Sequence, residues 1–285
     1  MQDSAPVEIR LLCESDIAAA MDLKNLAGWN QTERDWHTLL QLEPDGCFAA
    51  VLDNRLVATT TTTSYGSELA WIGMVLVRPE NRRTGIASRL LETALTYLEH
   101  KVSVVKLDAT ADGKYVYERL GFEVESMVER WSRRGDRLVG FERQQESLDF
   151  DTHRQILQLD RRAFGADRSQ LLSQLLANSC VRPVVTRSEE GAVAGYAMAR
   201  SGSDAAYVGP VVASERSHAA KLLDQMLEQL DSNPVYVDLN RNWGDGQQLL
   251  SERGFEKQRD LIRMKRGVGN PTTPLVFAIA GPEIG

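Results

Sequence analysis

Apolar and polar positions in the first half of the chain predict a strand followed by a helix. Residues 71–77 are apolar apart from one glycine and are followed by Arg78-Pro79, which predicts a buried strand and its end. Apolar residues then recur at i, i+3, i+4, i+7, i+8 and i+11, as expected for one buried helix face. These residues are Ala87, Leu90, Leu91, Ala94, Leu95 and Leu98.

The turn between this strand and this helix has the composition of an anion-binding site. Its residues, through the first helical turn, are Arg82, Arg83, Thr84, Gly85, Ile86, Ala87 and Ser88. The first N–H groups of a helix lack intrahelical partners, and the helix dipole places about half a positive charge there. Gly85 allows a ligand close to the backbone, and the two arginines add charge. We therefore expect these residues, 82–88, to bind a phosphorylated ligand, and we call them the phosphate turn; the alternative is a charged surface turn.

The form of the turn indicates which ligand. Neither G-x-x-x-x-G-K-[ST] nor G-x-G-x-x-G occurs in the chain. The turn resembles the R/Q-x-x-G-x-G/A motif of the GNAT superfamily of acyl-CoA-dependent N-acyltransferases, with Arg82, Gly85 and Ala87 at the motif positions. Residues 104–110 then resemble the next strand of that family, and residues 115–122 resemble its closing Y-x-x-x-G-F helix.

The resemblance implies that two neighbouring strands splay apart and that acetyl-CoA lies in the gap. In the family a tyrosine faces the CoA sulfur, a backbone N–H of the splayed strand meets the thioester oxygen, and an asparagine holds the pantetheine arm. The matching positions here are Tyr117, the backbone of Val75, Leu76 and Val77, and Thr110, whose hydroxyl can replace the amide. The alternative for Tyr117 is an aromatic side chain packed under the sheet, with Tyr115 as its competitor.

The sequence signals for a general base and for the acceptor site are weaker than those for the CoA site. The strand at residues 71–77 contains no carboxylate, although many members of the family place one there. Glu68, just before it, and Asp108, on the next predicted strand, are the candidates, and each has a structural alternative. The acceptor is expected beside the first helices, where Trp29 and Asn30 interrupt the helical pattern.

The second half of the chain repeats the apolar skeleton of the first. Gly73, in the apolar strand, matches Gly209 at an offset of 136 residues. We therefore expect an α/β protein of two tandem GNAT-like folds, each a mixed, mostly antiparallel sheet flanked by helices. Residues 1–145 would hold the acetyl-CoA site, and residues 146–285 would form a degenerate copy.

The chemistry of the site is not repeated in the second copy. Residues 213–220, where the phosphate turn should lie, contain neither glycine nor paired arginines, and Leu250 replaces the tyrosine. We therefore expect no CoA site in this half. The alternative, a second working site, is favoured by Asn240, which matches Thr110.

Charge adds a constraint on partners. The formal net charge of −7 argues against a nucleic-acid partner and fits a cationic amine acceptor. A local basic cluster surrounds Gly135 and predicts a solvated hairpin, with the CoA 3′-phosphate as a further contact; its members are Arg130, Arg133, Arg134 and Arg137.

Composition is that of a globular protein. Of 285 residues, 42% are hydrophobic and 26% are charged, and residues 71–77 form the longest apolar run, too short to span a bilayer. The N-terminus is acidic, so we expect no signal peptide. Cys13, Cys47 and Cys180 have no pairing pattern, which fits a reducing cytoplasm, and no histidine has ligand spacing to a cysteine, so we expect no metal.

The sequence therefore predicts a cytoplasmic N-acetyltransferase that moves an acetyl group from acetyl-CoA directly to a primary amine of a small molecule or peptide. The alternative is a non-catalytic acyl-CoA-binding or interaction module. Tyr117 favours the enzyme, and the absent strand carboxylate favours the module. Expected partners are acetyl-CoA and the amine, with no nucleic acid and no membrane; a homo-oligomer is left open.

Overall fold

The computed structural model describes residues 6–136, 148–269 and 273–285, and these form a mixed α/β fold. The strands, in chain order, are β1 Glu8–Leu11, β2 Phe48–Leu52, β3 Arg55–Tyr65, β4 Leu69–Val77, β5 Val104–Ala109, β6 Glu123–Arg133, β7 Val184–Arg187, β8 Val193–Arg200, β9 Ala206–Ala213, β10 Val235–Asn240, β11 Glu256–Gly267 and β12 Val276–Ala278. The helices are α1 Ile17–Leu26, α2 Glu33–Leu42, α3 Ile86–Leu98, α4 Lys114–Arg119, α5 Phe150–Phe164, α6 Ser169–Ala177, α7 Arg216–Leu230 and α8 Gly246–Ser251.

The elements predicted around the phosphate turn form as expected. The strand predicted at residues 71–77 is β4, which begins two residues earlier, and the helix that follows is α3. The apolar face of α3 packs on the sheet, with Leu90, Leu91 and Ala94 fully buried. The predicted strand at 104–110 is β5, and the closing helix is α4, which ends before the predicted boundary at 122.

The strands of the described residues form one sheet, and its order shows that the two halves of the chain exchange strands. The order is β1-β2-β3-β4-β5-β11-β6-β10-β12-β9-β8-β7. From the second half, β11 pairs antiparallel with β5, and from the first half, β6 pairs antiparallel with β10. The two exchanged strands also pair with each other. Each half therefore completes the sheet of the other.

This exchange corrects the prediction for the basic cluster near Gly135. Arg130 lies on β6 in the middle of the sheet, where its guanidinium donates two hydrogen bonds, of 2.8 and 2.6 Å, to Asp238 on β10. Its side chain is only 5% exposed. Local spacing predicted a solvated hairpin because nothing near Arg130 in the sequence indicates a partner strand from the other half. Arg133 ends β6, Arg134 follows it, and Arg137 lies outside the described residues.

In the first half, β4 and β5 run parallel and then separate, as the resemblance implies. They pair over three residues, ending where Trp71 lies opposite Lys106. From there to Val77, β4 has no strand partner on that side among the described residues. The two strands therefore form a wedge-shaped gap with one free backbone edge.

In the second half, β9 and β10 also separate, but the end of the chain fills the gap. They pair over two residues, ending where Tyr207 lies opposite Tyr236. Beyond this point β12 lies between them, with Ala278 opposite Leu239 of β10 and Val211 of β9. The free edges that such a gap would expose are thereby hydrogen-bonded.

After β12 the chain crosses from the second half to the first as a C-terminal tail, residues 279–285. A Cβ at Gly209 would overlap the carbonyl oxygen of Ile279, and a Cβ at Gly73 would lie 2.7 Å from the Cα of Glu283. The two glycines that match in the sequence repeat are therefore both places where the tail passes close to the sheet.

Buried donors from both halves hold this tail in place. The Tyr65 hydroxyl donates to Ile284 O at 2.7 Å, the Trp71 indole to Pro282 O at 2.9 Å, and the Arg168 guanidinium to Gly285 O at 2.8 Å. One hydrophobic cluster continues around it through α1, α2, β4, α5, α6 and β8. The halves therefore share a core as well as a sheet.

The strand exchange predicts that the first half does not fold alone. A chain ending at Gln145 loses β11 and the tail, which leaves β5 and β6 with unpaired edges and uncovers shared core. We expect this fragment to aggregate or to lack a cooperative thermal transition by circular dichroism, and we expect co-expression with residues 146–285 to restore a soluble complex. A monomeric 1–145 fragment with a cooperative transition like that of the full chain would contradict the exchange.

Candidate functional site

The turn between β4 and α3 leaves the N-terminus of α3 open. Gly85 caps the helix with φ 84°, and no side chain caps its first N–H groups. A Cβ at Gly85 would meet no atom within 4 Å. Arg82, Arg83, Thr84 and Gly85 are exposed, Ala87 and Ser88 are half-buried, and Ile86 is buried. The arrangement has free N–H groups, nearby cations and open space, which together suit an anion.

A bulge distorts β4 beside the gap. The pairing of β3 with β4 slips between Thr59 and Thr61, and Met74 adopts a φ of 48°, which is uncommon for a residue with a side chain. The Thr59 hydroxyl donates to the carbonyl of Met74 at 2.8 Å and so fixes the bulge. Bulges of this kind redirect backbone groups, here those of Met74 and Val75.

A pocket of about 70 Å³ lies at the gap and collects several of the predicted residues. Five of the predicted site residues line it together, namely Trp29, Val75, Asp108, Thr110 and Tyr117. Leu76, Val77 and the residues of the phosphate turn do not line this pocket; they follow Val75 along the chain toward α3.

Tyr117 has the environment of a proton donor in this pocket. Its ring packs edge-on against Phe122, with 6.1 Å between centroids, and no described residue hydrogen-bonds its hydroxyl. Burial raises the pKa of Tyr117 to about 12, so the hydroxyl stays protonated through neutral pH. The competing Tyr115 is 71% exposed and lies outside the pocket.

Asp108 has a partner that corrects its assignment as the catalytic base. The Arg263 guanidinium on β11 donates to both carboxylate oxygens of Asp108, at 2.9 and 2.8 Å. Burial raises the pKa of Asp108, and the adjacent guanidinium opposes this shift. A two-pronged buried ion pair joins the exchanged strand to β5, so we assign Asp108 to structure. The other candidate, Glu68, is exposed at the end where β4 and β5 still pair.

Asn30 likewise has a structural environment. Its amide nitrogen donates to Ala205 O at 2.9 Å, and its amide oxygen accepts from the backbone N–H groups of Asp204 and Ala205 at 2.9 and 3.1 Å. These bonds hold the loop between β8 and β9 against the first half. We therefore move Asn30 from the predicted acceptor site to the contact between halves, while Trp29 does line the pocket.

Sequence reasoning missed the residues that come to the pocket from distant segments. Pro282 and Glu283 arrive on the tail, Arg259 on β11, and Gln31 from the segment before α2. The Nε of Arg259 is buried without a hydrogen-bond partner among the described residues. Gly73 is the sequence signal that could have revealed the tail, since an isolated glycine inside a strand indicates that another backbone segment passes close by.

In the second half, the described residues at the equivalent positions differ from those of the first. Only Ser214 and Glu215 join β9 to α7, whereas eight residues join β4 to α3. The side-chain amide of Asn240 donates to Val276 O on β12 at 3.1 Å, so it holds the strand that fills the gap. Leu250, at the tyrosine position, is fully buried.

The described residues contain neither a metal-binding group nor a membrane-spanning helix. No group of three or more His, Cys, Asp or Glu side chains could hold a metal ion. No helix is long and apolar enough to cross a membrane. Cys13, Cys47 and Cys180 are free thiols.

Comparison with known proteins agrees with this architecture. The acetyltransferase (GNAT) family model matches residues 17–122, and an acetyltransferase (GNAT) domain model matches residues 156–274. The chain belongs to the GNAT family of N-acetyltransferases, and it carries two GNAT domains in tandem, as predicted.

Its relatives span nearly the whole chain. The chain is 26% identical over 256 residues to the uncharacterized N-acetyltransferase YitH of Bacillus subtilis, covering 88% of each protein. It is 25% identical over 271 residues to the holothin acyltransferase of a Pseudoalteromonas species, covering 91% of this chain and 85% of that one. A putative acetyltransferase from Pyrococcus horikoshii shares the fold, with a TM-score of 0.82, 20% identity and coverage of 100% and 99%.

Proposed function

We propose that the first half of this chain transfers an acetyl group from acetyl-CoA to a primary amine of a small molecule or peptide, in the cytoplasm. The observation that carries the proposal is the unpartnered hydroxyl of Tyr117 beside a strand gap that leads to an open helix N-terminus. The name of the holothin acyltransferase supports a small-molecule acceptor. The free cysteines support a reducing compartment.

The fold supplies a path for the donor. The diphosphate would bind the first N–H groups of α3, with Arg82 and Arg83 adding charge. The pantetheine arm would enter the gap past Thr110, where its amides could bond the free edge of β4. In the second half, β12 makes the corresponding backbone contacts with β9 and β10, which supports a strand-like occupant for this kind of gap.

Acyl transfer from a thioester to an amine has three requirements. The amine must be neutral when it attacks, charge on the carbonyl oxygen must be stabilised, and the departing sulfur needs a proton. Backbone N–H groups at the bulge near Val75 would meet the oxygen, and Tyr117 would protonate the sulfur. A tyrosine hydroxyl is protonated at neutral pH, so it can donate to the sulfur as negative charge develops there.

An assay of thiol release from acetyl-CoA with a panel of acceptors distinguishes the enzyme hypothesis from the hypothesis of a non-catalytic module. The panel contains benzylamine, putrescine, glycine, lysine and a tripeptide with a free N-terminus. Amino acids form one arm because the Nε of Arg259, buried in the pocket wall without a hydrogen-bond partner among the described residues, could donate to a carboxylate. Turnover of any member supports the enzyme; CoA binding without turnover of any member would support the module.

The phosphate turn predicts a binding defect in Gly85→Glu, because the new carboxylate would repel the diphosphate and close the backbone approach. A matched control exists in Gly191→Glu, since Gly191 has the same φ of 84° and the same open surroundings but lies in the second half. We expect calorimetry to show loss of CoA binding in the first variant and unchanged affinity in the second. Equal affinity in both would place the ligand elsewhere.

Proton donation to sulfur predicts that Tyr117→Phe lowers kcat by about 10²- to 10⁴-fold and leaves CoA affinity intact. The neighbouring Tyr115→Phe removes a similar hydroxyl from an exposed side chain and should leave both quantities unchanged. Steady-state kinetics with the fastest acceptor of the panel measures the effect. A kcat within a factor of about 2 of the unsubstituted enzyme would return Tyr117 to a packing role.

A further inference from the structure

Glu283 of the C-terminal tail forms part of the wall between two cavities. One is the pocket at the β4–β5 gap, and the other is a larger cavity of about 740 Å³. The larger cavity lies where α2 of the first half faces α6 and β8 of the second, the side on which we expect the acceptor. A group that borders both cavities stands where an acceptor would reach the thioester.

Two side chains hold the Glu283 carboxylate. One oxygen accepts from the Arg200 guanidinium at 2.7 Å, and the other accepts from the amide nitrogen of Gln31 at 2.8 Å. Arg200 also donates to Asp35 at 3.0 Å, so the guanidinium keeps a carboxylate partner without Glu283. Glu283 is 3% exposed, and its second oxygen faces a neutral group rather than a cation.

Gln31 leaves one hydrogen-bonding group unused. Its side chain is 8% exposed and lines the pocket at the gap, and its amide oxygen is buried without a hydrogen-bond donor in reach among the described residues. The orientation of the amide follows from chemistry, because an ionised carboxylate can only accept and the NH₂ group must face Glu283. A buried acceptor without a donor is costly, and a ligand that supplies an N–H would relieve that cost.

We propose that Gln31 and Glu283 receive the acceptor amine, with the Gln31 oxygen accepting one N–H and the Glu283 carboxylate taking the proton that the amine must lose. This assignment rests on the proposed acetyl transfer. The general base for the site in the first half would then be Glu283, which lies in the C-terminal tail, at the end of the second half. This assignment also accounts for the absence of a carboxylate from residues 71–77.

In the proposed step, one proton moves from the ammonium to Glu283 and another from Tyr117 to the sulfur. The bound ammonium gives one proton to the Glu283 carboxylate, and the resulting amine attacks the thioester carbon. The C–N bond forms, the C–S bond breaks, and the sulfur takes a proton from Tyr117. The tyrosinate recovers a proton from the acylated nitrogen through water, and Glu283 releases its proton to solvent. The products are the amide, free CoA thiol and one proton.

The surroundings of Glu283 suit a proton acceptor. Burial raises the pKa of Glu283, Arg200 opposes the shift, and Asp35 adds to it. Arg200, Asp35 and Arg130 interact with Glu283 electrostatically. Arg259 and Asp108 line the pocket at the gap with it, and Glu33, Arg34 and His37 line the larger cavity with it. The phenols around it are Tyr65, Tyr117 and Tyr207, all with pKa values raised by burial.

The test is Glu283→Gln in the full chain, with the panel member that turns over fastest as the probe. The variant keeps the shape of the side chain, and Asp35 still pairs with Arg200. We expect kcat/KM for the amine to fall by about 10²-fold or more near neutral pH, with CoA affinity unchanged. The control is Glu43→Gln, which removes a half-buried carboxylate that bonds Ser64 and Tyr97 outside both cavities.

The pH profile separates a base from a structural role. For an acceptor whose ammonium pKa lies above about 9, transfer of the ammonium proton to the Glu283 carboxylate should keep kcat/KM nearly flat from about pH 7 to 9. In Glu283→Gln only the free amine reacts, so log kcat/KM for the same acceptor should rise by about 1 per pH unit over that range. Glu43→Gln should keep the flat profile.

The outcomes are distinguishable. If the unsubstituted enzyme turns over an amine and Glu283→Gln shows the same rate or the same flat profile, Glu283 is not the base and this proposal is overturned. If the unsubstituted enzyme turns over no amine of the panel, acetyl transfer fails and this proposal fails with it. As a second variant, Gln31→Met should raise KM for the amine and keep the flat profile, because it removes the hydrogen bond and retains the base.

Discussion

The structure depends on the hydrogen bonding of two gaps in one sheet. Parallel strands that separate leave free backbone groups, and these must find partners or face solvent. Between β9 and β10 the chain supplies the partner itself, in β12. Between β4 and β5 no described segment does so, and the free edge ends beside an open helix N-terminus. One gap is structural, and the other is available to a ligand.

Buried arginine pairs fix how the halves combine. Arg263 with Asp108 and Arg130 with Asp238 join the exchanged strands to their new neighbours, and Arg200 joins the tail to β8. Breaking such a pair by removing one partner costs about 3–5 kcal/mol, because a buried charge is left uncompensated. Each of the first two pairs joins a residue of one half to a residue of the other, so together they stabilise the contact between the halves.

The sequence predicted what depends on local chemistry. The turn at residues 82–88 and the helix face below it follow from spacing and composition, and the tandem fold follows from the internal repeat and the family resemblance; the structure has all three. Asp108, Asn30 and Arg130 were assigned from their local surroundings, and each has its partner in the other half. Spacing within one segment carries no information on such partners. The tail was missed for the same reason, although Gly73 and Gly209 mark its path.

We assign one gap to CoA and the other to the chain's own β12. The most direct measurement is the stoichiometry of CoA binding to the full chain by isothermal titration calorimetry. We predict one equivalent per chain, because the second gap is already hydrogen-bonded on both sides and lacks a phosphate turn. Two equivalents would show that CoA can displace β12 from the second gap. No binding would show that the gap between β4 and β5 is not a CoA site. Either result would contradict this assignment.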